Sequence, residues 1–341
     1  MKVTKKEIAD YLGISRTAVS LTLNRSPKCS LSEATQARIF RAARELGYMD
    51  DSSGGGIKRI CLAMCDLDKD TARRTNSVVL NDIEELLEKR DYHVMYMCIR
   101  SNKASYERLY EYLDSGDAAG VILYNLMDRN VIDRIKELHV PYLVISEIGY
   151  QDDNIICPDS VQCARFITAK LIELGHRKIA LFLHMLDCPQ CDSILRGYRE
   201  ALQEANIPFD PALVRTCPSE DGKEAILQME LLNLDYTAVV CSNIFVQTGA
   251  YCALIERGIR VPDDKSLISY SDFDQAVLTL PKMTGANCMF SESMNKAIDD
   301  LIDCINDGRT VLPFSLVDQI GFHPGETIGP PPEEKQDNTA M

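Results

Sequence analysis

An α/β chain in three parts, a small all-α head followed by two doubly wound lobes of parallel sheet, is what this sequence predicts. Three observations predict it. Residues 4–24 read as two short helices joined by a tight turn, short apolar runs alternate with helix-period segments from Ile57 onward, and one glycine-rich stretch, Met49 to Gly56, separates the two regimes. Strands separated by helices need right-handed crossovers, which make neighbouring strands parallel.

The head starts with a capping box. Thr4 can cap a first helix while Glu7 returns the bond, and Ile8, Ala9 and Leu12 then share one face. Gly13 ends that helix. Ser15 can cap a second helix whose inner face is Ala18, Val19 and Leu23, which turns Arg16, Thr17, Ser20 and Asn24 outward. Two helices so joined form a helix-turn-helix, and the outward side chains would enter the major groove.

These residues carry a resemblance. The stretch is similar to the start of the LacI/GalR family of bacterial repressors, T-x-x-D-V-A-x-x-A-G-V-S-x-x-T-V-S-R-V-L-N. Ile8, Ala9, Gly13, Ile14, Ser15, Val19, Ser20 and Asn24 keep the pattern, while Glu7, Leu12, Ala18 and Leu21 depart from it. Leu31-Ser32-Glu33, Arg38-Ile39, Ala42-Ala43 and Leu46-Gly47-Tyr48 resemble the family's third helix after a short insertion. On this reading residues 1–50 are the DNA-binding head, with Thr4, Ser15, Arg16, Thr17, Ser20 and Asn24 as candidate DNA contacts. The alternative is a helix-turn-helix of the kind that also occurs in structural and signalling domains.

Residues 51–57 are expected to be a flexible linker, because three glycines propagate neither helix nor strand cheaply and Asp50 and Asp51 keep the segment solvated. The family usually places a leucine-bearing hinge helix here that wedges the minor groove. This chain has no such leucine or arginine, so binding without central kinking is expected.

The body, 58–322, opens with strands at Ile60–Cys65, Val94–Ile99, Gly120–Tyr124 and Tyr142–Ile145, separated by helices at Ser77–Arg90, Ser105–Ser115 and Asn130–Leu138. A second series follows. Helices at Asp159–Leu174, Ser193–Ala205, Gly222–Leu232 and Phe245–Arg257 alternate with strands at Ile179–His184, Ala238–Ser242 and Ser266–Tyr270. A strand at Ala286–Met289, a helix at Ser291–Ile305 and a strand at Phe314–Val317 return to the lobes, so multiple crossovers are expected. The tail, 323–341, is proline-rich and charged without apolar period and is expected to be disordered.

Family-like stretches recur through the body, including Leu174-Gly175-His176-Arg177-Lys178-Ile179, Gly197-Tyr198, Asn243 and Val261-Pro262-Asp263. The resemblance implies a periplasmic-binding-protein-like effector domain that dimerises, with a cleft between its lobes at the carboxyl ends of the strands. The candidate pocket consists of Arg73, Asn125, Ser146, Ile194, Asn243, Ser271, Cys288 and Phe290. Sugar-binding members clamp hydroxyls with carboxylates and an arginine. Here Ser146, Ile194, Ser271 and Cys288 stand where the family often has Asp, Arg, Asp and Gln. Desolvated hydroxyls would lack partners in such a site, so a simple sugar should bind poorly. Either the effector is less polar or anionic, the latter met by Arg73 and Arg74 ahead of the first body helix, or none is used. The ordinary alternative for that pair is a solvated loop.

Composition limits the rest. The 341-residue chain carries a net charge of −14, yet residues 1–50 hold nine bases against five acids, a balance of +4 that leaves −18 for the remainder. A basic head on an acidic body binds phosphates locally while the body repels the polyanion. The polar N-terminus and the lack of long apolar runs predict a soluble, cytoplasmic protein with no membrane association. Thirteen cysteines without a secretion signal read as reduced, packed thiols. Cys188 and Cys191, in a C-x-x-C with His184 nearby, could form a redox switch or half a metal site, but zinc would need two more ligands; ordinary loop thiols are the plainer reading. No metal and no cofactor are implied.

Enzyme signatures are missing: no G-x-G-x-x-G after a strand, no Walker loop, no H-E-x-x-H and no G-x-S-x-G. The expected function is a homodimeric regulator, a repressor, that reads a palindromic double-stranded DNA operator and answers to a small effector. The alternative is a small-molecule or redox-responsive receptor of the same fold without specific operator binding.

Overall fold

The computed structural model describes residues 3–24, 26–48, 58–66, 71–100, 102–125, 128–146, 154–185, 189–217, 221–270, 281–288, 290–307, 315–317 and 319–333. The linker at 51–57 lies outside the described residues, as do Ser271 and Cys188.

Helix α1 (Lys5–Leu12) carries the expected capping box: the Glu7 carboxylate accepts from the Thr4 N–H at 2.7 Å, and the Glu7 N–H donates to Thr4 Oγ1. Gly13 closes it at φ 66°, a left-handed conformation that a side chain would strain. Helix α2 (Arg16–Leu23) is capped by Ser15 and α3 (Glu33–Glu45) by Ser32. Ile8, Ala9, Val19, Ile39, Ala42 and Ala43 form their common core, with Leu12, Leu23 and Leu46 against its rim.

The chain divides into two units, residues 1–157 with 290–316 and residues 158–289 with 317–341, so it passes from one to the other three times. These are the expected crossovers. In the first unit the head is followed by β1 (Arg59–Asp66), α4 (Thr71–Glu88), β2 (His93–Arg100), α5 (Lys103–Asp114), β3 (Gly120–Tyr124), α6 (Arg129–Glu137), β4 (Tyr142–Ile145) and β5 (Ile155–Pro158). The sheet runs β11-β5-β4-β3-β1-β2, where β11 is Ser315–Val317, and the unit also holds the helix Phe290–Asp307, labelled α11. The β1–β2, β1–β3, β3–β4 and β4–β5 pairs are all parallel.

The second unit repeats the plan with α7 (Ser160–Glu173), β6 (Ile179–Leu183), α8 (Pro189–Glu204), β7 (Val214–Thr216), α9 (Gly222–Leu231), β8 (Ala238–Cys241), α10 (Ile244–Glu256), β9 (Ser266–Tyr270), β10 (Thr284–Cys288) and β12 (Ile320–His323). Its sheet runs β12-β10-β9-β8-β6-β7, with β12 antiparallel to β10. Both sheets thus have the order 2-1-3-4-5-6, counting strands within each sheet, which is a doubly wound topology. Every residue of β4, β6, β8 and β9 is buried, as strands covered on both faces require.

Several boundaries differ from expectation. Helix α4 starts at Thr71 rather than Ser77, so Arg73 and Arg74 lie on the helix and not in a loop before it. Helix α8 starts at Pro189 rather than Ser193, because proline suits the first helical position, and this places Cys191 on a helix. The strands β5, β7 and β12 were not expected; each is only three or four residues long.

The expected disorder of residues 323–341 is corrected for its described part. The Leu267 N–H donates to the Thr327 carbonyl at 2.7 Å, Thr327 is fully buried, and the Gly329 carbonyl meets His176 Nε2 at 2.9 Å. Pro and Gly read as disorder from composition, but the buried side chains of His176, Ser266 and Thr284 supply this strap with hydrogen-bond partners. Burial holds the His176 pKa below its ordinary value, against the opposing bond to the Gly329 carbonyl. The unfolded chain therefore takes up a proton below about pH 6.5 that the folded chain resists, and stability falls as pH drops through that value. The melting temperature should fall between pH 7.5 and 5.5 by less in His176→Gln than in the parent; an equal fall in both would place the acid sensitivity elsewhere.

Candidate functional site

The outward face of α2 is built by the inward one. Val19 is fully buried and anchors the helix on α1 and α3, which leaves Arg16 and Thr17 exposed and Ser20 half-buried beside them. Of the other candidate contacts, Ser15 Oγ accepts from the Ala18 N–H at 3.1 Å and Thr4 Oγ1 donates to the Glu7 carboxylate at 2.8 Å, so both serve first as helix caps. Exposed Asn24 takes a hydrogen bond from Lys5 Nζ at 2.6 Å. That bond ties the end of α2 to the start of α1. The bonds of Thr4 also hold the Glu7 carboxyl below the usual carboxylate range.

In the first unit, Asn125 and Ser146 follow the adjacent strands β3 and β4. Asn125 takes φ 55° and donates its N–H to the Ile145 carbonyl at 2.9 Å, so the two candidate residues stand side by side at one strand edge. Ser146 is buried. Arg73 and Phe290 fall on the described helices α4 and α11, but their side chains are outside the described set.

In the second unit the candidates scatter. Asn243 caps α10, its carbonyl oxygen accepting from the Val246 N–H at 2.8 Å, while Ile194 and Cys288 are fully buried. Two residues absent from the predicted pocket stand instead where the strand order reverses, between β6 and β8. His184 follows β6 and Ser242 follows β8. Ser242 Oγ accepts from the His184 N–H at 2.8 Å and lies 2.9 Å from His184 Nδ1, joining the two strand ends. Buried Ser160 donates to the Tyr270 hydroxyl at 3.2 Å at the end of β9. The position of His184 directly after an apolar run was the legible signal; the switch point needed the strand order.

Cys191 sits 3.4 Å from His184 Nδ1 and is 2 % exposed, so it is a buried helical thiol rather than a loop thiol. Its expected partner Cys188 is outside the described residues. Cys191 and the other cysteines whose side chains are described form no disulfide, and no group of three or more His, Cys, Asp or Glu able to hold a metal occurs among the described residues. No described helix is long and apolar enough to cross a membrane.

Residues 168–328 match the model of the periplasmic binding protein-like domain. Across nearly the whole chain there is similarity to the HTH-type transcriptional repressor PurR of Vibrio atlanticus, 27 % identical over 314 residues, covering 89 % of this chain and 92 % of that protein. The HTH-type transcriptional regulator CelR of Thermobifida fusca is also 27 % identical, over 326 residues, covering 92 % of this chain and 95 % of its own length. Among solved structures, a CelR–cellobiose complex superposes with TM-score 0.69 at 24 % identity, covering 96 % of this chain and 100 % of that one. A lac repressor dimer bound to operator superposes with TM-score 0.68 at 22 % identity, covering 96 % and 99 %. With a helix-turn-helix head, two sheets of matching strand order and relatives of this kind over most of its length, the chain is a DNA-binding transcriptional regulator that is similar in sequence to HTH-type regulators and shares the fold of the lac repressor.

Proposed function

We propose that this regulator is a repressor that binds a palindromic operator as a homodimer and responds to a small, weakly polar effector. The observation that carries the DNA reading is the open face of α2: Arg16 and Thr17 are exposed on a helix whose other side is locked into the head core. An N-terminal arginine on such a helix reaches both guanine acceptors in the major groove. Arg16→Ala should lower affinity for the preferred site by about 1 to 3 kcal/mol and relax preference at one base pair. Equal losses on preferred and random DNA would reduce Arg16 to a phosphate contact.

Dimerisation is supported by an apolar face of the second unit. Leu227, Leu231 and Leu232 at α9 and Ile255 on α10 are 46 %, 87 %, 55 % and 47 % exposed. Gly222 lets these helices touch, since a Cβ there would come within 3 Å of the Val246 backbone on α10. Exposed leucines at this density mark an interface, and a second copy is the occupant that a palindrome requires.

The effector reading rests on the carboxyl strand ends of each unit taken by itself: Asn125 and Ser146 follow β3 and β4 in the first, and His184 and Asn243 follow β6 and β8 in the second. Among these no carboxylate or guanidinium is available to clamp a polyol, so a ligand with few hydroxyls fits best. Thermal-shift screening with sugars, nucleobases and carboxylates tests it. A simple hexose as the tightest binder would contradict the reading.

A further inference from the structure

Helix α3 has a second face that the head core does not use. Arg41 donates from Nε and one Nη to the two carboxylate oxygens of Asp114 at 3.2 and 2.6 Å, the forked geometry of a strong pair. Arg44 lies 3.7 Å from the same carboxylate and donates from Nε to the Leu138 carbonyl at 3.1 Å. The ring of Phe40 covers Gly116, where an added Cβ would come 2.5 Å from a ring carbon. The head is therefore seated on α5 and on the end of α6.

Asp114 is an unusual residue for its place. It is the last residue of α5, where the helix carbonyls disfavour negative charge, and the last turn has no base of its own. The cations that answer it come from the head. Asp114 is 19 % exposed and Arg44 17 %, so solvent screens the group less than an open surface pair. Desolvation draws the Arg44 pKa down to about 10, still well above neutrality. Arg16, Thr17 and Asn24 remain exposed while α3 is seated.

We propose that Asp114, with Phe40, Arg41 and Arg44, is a latch that fixes each head on its own first unit and so presets the separation of the two recognition helices. The role in spacing rests on the dimeric operator reading above; the latch itself does not.

Two measurements on the full-length protein test it. Asp114→Asn removes an acid from a helix C-terminus and so does not weaken α5, and Arg41→Gln attacks the pair from the head. In the parent, ¹⁵N transverse relaxation of head amides should match that of the body, and in both variants it should slow by about twofold or more as the heads tumble independently. Heads already independent in the parent, or unchanged in both variants, would overturn the latch. On palindromes with half-site spacing stepped by single base pairs, the parent should show a sharp optimum, and Asp114→Asn a flatter profile with a peak about three- to tenfold lower. Mobile heads with an unaltered spacing profile would overturn its role in spacing. A parent with seated heads that binds no palindrome would uphold the latch and overturn the operator reading.

Discussion

Leu231→Arg is expected to separate the dimer and to lower operator affinity by about 10²- to 10⁴-fold, because each half-site must then be bound without the effective concentration supplied by its partner. Leu231 is 87 % exposed and ends α9, so the substitution costs the isolated chain little: a cation is favoured at a helix C-terminus and no core contact is lost. At a self-paired face the same arginine meets apolar surface and must be desolvated. Sedimentation should report a monomer, while affinity for a single half-site stays within a few fold of the parent. A variant that still sediments as a dimer would move the interface to another surface.

The second large effect is expected in the head. Ile39 is fully buried among Ile8, Val19 and Ala42, and Ile39→Ala should cost about 2 to 5 kcal/mol from lost burial and the cavity left behind. A folding unit this small holds only about 3 to 5 kcal/mol in total. The head should therefore be largely unfolded at ambient temperature and DNA binding lost, while the body keeps its own thermal transition. Resolved head amide signals together with near-parent affinity would show that the latch, rather than this core, carries most of the head's stability.

These two positions show how legible the molecule was. The head could be read nearly residue by residue, because caps, a closing glycine and a short apolar face are local devices: Thr4, Glu7, Gly13 and Ser15 do what their types at that spacing allow. The inner parallel strands β4, β6 and β8 were equally plain, being continuous apolar runs buried on both faces. Short edge strands such as β7 carry too few residues to show a period, and its Val214–Thr216 is only half-buried. The strap at 323–333 was misread because its order comes from His176 and Ser266, far away in sequence. The candidate effector residues fared unevenly for the same reason. Asn125 and Ser146 sit together because their strands pair, whereas the His184–Ser242 junction depends on β8 lying next to β6, which no local pattern announces. The partners of Asp114 were likewise out of reach, 73 residues from Arg41 in the chain.

The central claim, that a dimer of this chain reads a specific palindrome through α2, is tested most directly by selecting DNA from a random pool with the purified full-length protein and sequencing what is retained. The account predicts enrichment of a twofold-symmetric site whose half-sites each contain a guanine that loses its preference in Arg16→Ala, with affinity falling steeply as salt rises. Retention of DNA without an enriched motif, or enrichment of an asymmetric site that Arg16→Ala leaves unchanged, would contradict it.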